Sequence, residues 1–168
     1  MVACKITNLK NFMSHLLIKE SFDSFWLSEA SITTGNTFTI DGTLHPEFFS
    51  EEAREVLEHC HRTHSLWKEI RPLCYSIIRG KQTPLQFQFV FRLSCEKTRQ
   101  ALADSGISID PDQVNGLFLN VQYSAGQLLC TTGTSVGVST LDKSLDRLWD
   151  QMVLHFFDEQ DIEYEDGC

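Results

Sequence analysis

The stretch EHCHRTH, residues 58–64, places His59, Cys60, His61 and His64 within seven positions. Imidazole together with thiolate is an acceptable ligand set for zinc. On a helix Cys60 and His64 share a face, as do His61 and His64. His59, however, points about 100° away from Cys60, and no second Cys or His pair follows at a ligand interval. The stretch also falls where a helix should end, and histidines there answer the orphan carbonyls and the dipole. The expectation is a helix end without a metal, and no other motif implies a cofactor.

A second stretch, CTTGTSVGVSTLDKS at residues 130–144, is rich in Gly, Thr and Ser. It lacks the Gly-Lys-Ser/Thr ending that brings a lysine and a metal-binding hydroxyl to phosphates. Gly133 and Gly137 interrupting a β run predict a twisted or bulged strand, with Lys143 and Ser135 as the candidate anion contacts. Neither a Gly-x-Ser-x-Gly elbow nor a His-Glu-x-x-His pair is present. The acids Asp23, Glu29, Asp41 and Asp142 are candidates for a carboxylate pair, but sequence alone does not bring them together.

The most informative pattern lies in residues 66–79. At 100° per residue, Leu66, Trp67, Ile70, Leu73, Cys74, Ile77 and Ile78 take one side of a helix. Lys68, Arg71, Tyr75 and Arg79 fall together on the other, and Lys81 follows directly. Residues 60–99 hold eight of the fourteen basic side chains against only Glu69 and Glu96. Such a stripe holds phosphates by charge and offers Tyr75 for stacking; its plain alternative is a solvated face paired with acids of the same chain. Reversing Lys68, Arg71 and Arg79 together should leave folding intact if all three are exposed.

Composition sets the frame for these elements. The chain has 168 residues, 42% of them hydrophobic, with twelve Phe and three Trp to fill a core; that length and content fit one domain with one core. No apolar run reaches the 18 residues of a bilayer span, and MVACKITNLKNF turns polar too soon for a signal peptide. The six cysteines include no CxxC pair, which suits reduced, mostly buried thiols and predicts a cytoplasmic protein. The net charge of −9 is concentrated in residues 158–168, whose six acids face no base. A solvated acidic tail is expected there.

A strand over residues 2–7 opens the chain, followed by a helix that Asn8 caps and that carries Leu9, Phe12, Met13, Leu16 and Leu17. A hairpin follows, turning at Thr34, Gly35 and Asn36, where positive φ is expected of Gly and Asn. Ser50 caps the next helix, and Pro72 either kinks the helix of residues 66–79 or begins it. After Pro84, Leu85, Phe87, Phe89, Phe91 and Leu93 alternate as the apolar face of a strand. Ser94 caps a helix to Gly106, two β runs meet at a Gly-containing turn, and Asp142 or Ser144 caps a last helix bearing Leu145, Trp149 and Val153.

The order strand, helix, hairpin, helix thus occurs twice, in halves of about residues 1–82 and 84–157. The fold class expected is α+β: one largely antiparallel sheet with helices on its apolar face. The segments FDSFWLSEASITTGNTFTIDG, SLWKEIRP, GLFLNVQY and CTTGTSVGVSTLDKSLDRLWD resemble a bacterial family known as a domain of unknown function. That resemblance implies a single full-length cytoplasmic domain and transfers no activity. The doubled order is also similar in topology to the DNA sliding clamp, whose domains repeat a strand, a helix and a run of antiparallel strands.

Three functions are compatible with these features. The first is a non-enzymatic module that contacts nucleic acid or an acidic partner through Lys68, Arg71, Tyr75, Arg79 and Lys81. The second is an enzyme with a carboxylate or histidine site, around His61, between the halves. The third is a homo-oligomer whose acidic surface meets its own basic helix. No membrane contact is expected.

Overall fold

The computed structural model describes residues 1–167, so Cys168 lies outside it. The chain runs β1 (Ala3–Ile6), α1 (Leu9–Leu17), β2 (Trp26–Thr33), β3 (Thr37–Asp41), α2 (Glu51–His59), α3 (Trp67–Ile78) and β4 (Gln86–Arg92). It continues through α4 (Cys95–Ser105), β5 (Val114–Ser124), β6 (Gln127–Val136), α5 (Ser144–Glu159) and β7 (Tyr164–Asp166). All the strands join one sheet in the order β3-β2-β4-β5-β6-β1-β7, and every neighbouring pair is antiparallel. The α+β expectation holds, with an antiparallel sheet and helices on its apolar face.

Alternation decides which face is covered. Phe87, Phe89 and Phe91 of β4 are buried, as are Leu117, Leu119 and Val121 of β5. The intervening Gln88 and Gln122 are exposed on the opposite face, as a period of two requires. Trp67 of α3 lies 5.0 Å from the Phe89 ring and 5.1 Å from Phe91, and Phe22 stacks on Phe91 at 5.4 Å. Burying each such ring stabilises the fold by about 2–3 kcal/mol. Leu85 departs from the expected alternation: it precedes β4, beyond the cover of the helices, and is 70% exposed.

Three of the four caps read from sequence are made; the last helix, α5, is instead entered through Lys143, whose side chain makes no capping bond. Asn8 accepts from the Asn11 amide, Ser50 from Ala53 and Ser94 from Lys97. Asp142 accepts from both the amide and the hydroxyl of Ser144. Pro72 sits inside α3 rather than at its start, and it is exposed, so the Lys68 carbonyl that it leaves without an amide is on the watery side. The β2–β3 turn closes through Thr34 N donating to Asn36 O, 2.8 Å, without positive φ at Gly35 or Asn36. Left-handed backbone appears instead at Ala125 (φ 52) and Gly126 (φ 77), between β5 and β6.

Two further expectations change. The acidic end is not a free tail as far as Gly167. Residues 158–159 close α5, Ile162 is buried, and β7 pairs with β1 through Lys5↔Glu165 and Ile6↔Tyr164. Backbone pairing and the apolar Ile162 outweigh local charge repulsion, which Lys5 relieves with a 3.4 Å contact to Glu165. The sheet also lacks the symmetry of two equivalent halves. β1 lies between β6 and β7, whereas its counterpart β4 lies between β2 and β5.

Candidate functional site: a groove between two helices

The carbonyls at the C-terminus of α1 have no intrahelical donors, and α3 supplies them. The indole Nε1 of Trp67 donates to Leu16 O at 2.8 Å. Arg71 Nη1 donates to Ile18 O at 3.2 Å, and its Nε and Nη2 form a bidentate pair with Asp23 at 2.9 and 3.0 Å. The Arg71 and Asp23 side chains are only 17% and 11% exposed. These contacts fix α1 against α3 at this end, and a positive guanidinium at a helix C-terminus also suits the dipole.

Beside this clamp the two helices flank a groove of about 440 Å³. One wall is α1, through Leu9, Met13, Leu17 and Ile18; the other is α3, through Tyr75 and Ile78. The floor is the stacked pair Phe87–Tyr123, direct partners across β4 and β5 with ring centroids 5.0 Å apart. Gly80, at φ 146, breaks α3 and lets residues 80–84 fold back as an end wall; this backbone is open chiefly to glycine. Lys10 and Arg79 stand on the rim. The result is an apolar trough with cationic edges, roomy enough for several side chains.

The five residues of the basic stripe separate in this structure. Tyr75 and Arg79 line the groove. Lys68 and Lys81 are exposed on the same helix and in the loop after it, and neither they nor Arg79 has an ion-pair partner among the described residues. Arg71 is turned toward α1 and spent on Asp23. Elsewhere in the basic segment, Arg62 pairs with Glu69 and Arg99 with Asp112. The free positive charge is therefore narrower than its count implied.

The other motifs do not converge. His59 ends α2, Cys60 caps it, and His61 takes a left-handed φ of 52. His64 leaves them to stack on Trp26 at 6.1 Å; burial foremost, then the nearby Arg92, holds its imidazole below the usual range. No group of three or more His, Cys, Asp or Glu among the described residues is placed to hold a metal ion. The Gly/Thr stretch becomes β6, and its cleft against α5, about 320 Å³, holds Asp142, Asp146 and Asp150. There Thr134 donates to Asp146 and Thr132 to Asp150, while Lys143 pairs with Asp146 and Ser135 accepts from Asn115. These carboxylates are engaged by their own neighbours, and no histidine lines the cleft.

Residues 9–18 and the floor pair Phe87–Tyr123 were not singled out as a site from sequence. One signal was present: Ile18 stands about 100° beyond the arc that Leu9, Phe12, Met13, Leu16 and Leu17 share. Phe12 and Leu16 are fully buried, and Ile18 is 62% exposed.

Fold and groove together define a single-sheet α+β domain with a helix-walled, cation-rimmed apolar trough. The chain belongs to the family of unknown function DUF5721, whose model matches residues 15–165. No curated protein and no solved structure matches it, so the topological likeness to sliding clamps gains no support. No helix among the described residues is long and apolar enough to cross a membrane.

Proposed function

We propose that this protein is a binding module that holds an acidic, amphipathic segment of a partner protein in the groove between α1 and α3. The observation that carries this reading is the combination of an apolar trough with Lys10 and Arg79 on its rim. Apolar side chains of the ligand would fill the trough, and carboxylates beside them would meet the cations, as in other helix-in-groove complexes. A nucleic acid suits the surface less well. Its phosphates need a run of cations, and Arg71, central to the expected stripe, is committed to Asp23. The titratable side chains lining the trough are Lys10, Tyr75, Arg79 and Tyr123, a set better suited to binding than to acid–base chemistry. A bacterial cytoplasm is the proposed setting, which the buried thiols Cys74 and Cys130 fit: burial pushes the first up to about 12 and the second well above its usual value, as for inert core thiols.

The test is a fluorescence-anisotropy titration of a labelled helical peptide with Leu on one face and Glu on the other, beside a labelled oligo-dT. Peptide binding that weakens with salt and is lost in Arg79→Glu supports the reading. Tighter binding of oligo-dT, or peptide binding indifferent to Arg79→Glu, contradicts it.

A further inference from the structure

The sheet ends in β3 on one side and β7 on the other, and an edge strand is a ready template for pairing with another chain. Natural edges are usually blunted by shortness, lysine, proline, a bulge or inward charge. β7 is blunted: it is three residues long and carries Glu165 and Asp166. β3 is not. Its five residues, Thr37–Asp41, contain no Lys or Pro and pair with β2 without a register shift.

We infer that β3 is a self-pairing edge, which joins two copies of this chain antiparallel about a two-fold axis through Thr39. The sequence of β3 is complementary to itself in that register. Thr39 would face its own copy, Phe38 would face Ile40 of the second chain, and Thr37 would face Asp41 of the second chain. All five residues find partners, and the one charge in the strand meets a hydroxyl rather than another carboxylate. Phe38 and Ile40 lie on the helix-covered face, opposite Ile32 and Ala30 of β2. Pairing would extend that apolar row across the axis and cover Phe38, which is 42% exposed. Cross-strand neighbours of this kind are the unit that stabilises a sheet. An isologous contact of this type closes after two copies. It lies at the far side of β2 from the β4–β5 floor of the groove, so it stands independently of the ligand proposed there.

Sedimentation velocity in about 150 mM salt, where repulsion between exposed charges is largely screened beyond ~8 Å, tests this directly. The native chain is expected to sediment as a reversible dimer at micromolar concentration. Thr37→Asp sets two carboxylates against Asp41 at two symmetric positions and should raise the dimer Kd about tenfold. Thr37→Lys creates two ion pairs instead and should lower it. Thr37 is exposed, so circular dichroism should show both variants folded. A native chain and a Thr37→Lys variant that are monomeric at the highest concentration would overturn the inference. So would a dimer whose Kd is the same in both variants.

Discussion

Replacing Arg71 with alanine should unfold this protein far more readily than replacing its neighbours on α3. The change leaves the Asp23 carboxylate, 11% exposed, without its bidentate donor, and it strips the Ile18 carbonyl of a partner. Breaking a fully buried ion pair costs about 3–5 kcal/mol; the residual solvent access of this one reduces that to about 2–3 kcal/mol. At roughly 2–4 °C per kcal/mol for a chain of this size, the melting temperature should fall by about 4–12 °C. Lys68→Ala and Arg79→Ala, both at exposed positions, should cost less than about 0.5 kcal/mol each. In urea titrations, adding Asp23→Ala to Arg71→Ala should cost much less than the sum of the two single changes, because the residues act as a pair. A loss in Arg71→Ala no larger than in Lys68→Ala would refute the clamp. The expectation that reversing Lys68, Arg71 and Arg79 together spares the fold is revised accordingly, and tests of binding should leave Arg71 in place.

Gly42→Ala should cost about 3 kcal/mol or more in a thermal melt, because a Cβ there would run into the Leu27 carbonyl, and backbone strain of that kind is among the few large single-residue effects. Ala125→Asn should do the opposite: the residue holds φ 52 in the β5–β6 turn, where Asn before Gly is favoured. The gain should be about 1 kcal/mol, raising the melting temperature by about 2–4 °C. Stability should also fall between about pH 7 and 5, since His15 and His64 are held below the usual imidazole range and the unfolded chain then binds more protons. Burial is the first cause at both, helped by Lys19 at His15 and by Arg92 at His64, against Asp161 and Asp41 respectively. The slope should flatten in His15→Gln and in His64→Gln, measured as urea midpoints against pH.

What could be read from the sequence followed the range over which each signal acts. Caps at Asn8, Ser50 and Ser94 are local contacts over three residues, and the alternation of Phe87, Phe89 and Phe91 needs only one strand. Both were legible. The Arg71–Asp23 pair spans 48 residues and left no trace in charge periodicity, so the stripe looked wider than it is. The groove depended on two facts of the tertiary structure: α1 docks beside α3, and Phe87 stacks on Tyr123 from another strand. The acidic end was misread because composition registers charge and not the single apolar Ile162, whose burial, with the pairing of β7 to β1, anchors it. The doubled order of elements is local and recurs along the chain, whereas the place of each strand in the sheet is a long-range property of pairing.

The trough between α1 and α3 is the proposed ligand site. Its most direct test is a map of backbone amide shifts, by two-dimensional NMR, on adding the Leu/Glu amphipathic peptide to the isotope-labelled full chain. The largest shifts should fall on Lys10, Met13, Ile78, Arg79 and Tyr123, and they should vanish in Met13→Asp at equal peptide concentration. Shifts centred instead on the β6–α5 cleft or on the uncovered face of the sheet would contradict the proposal.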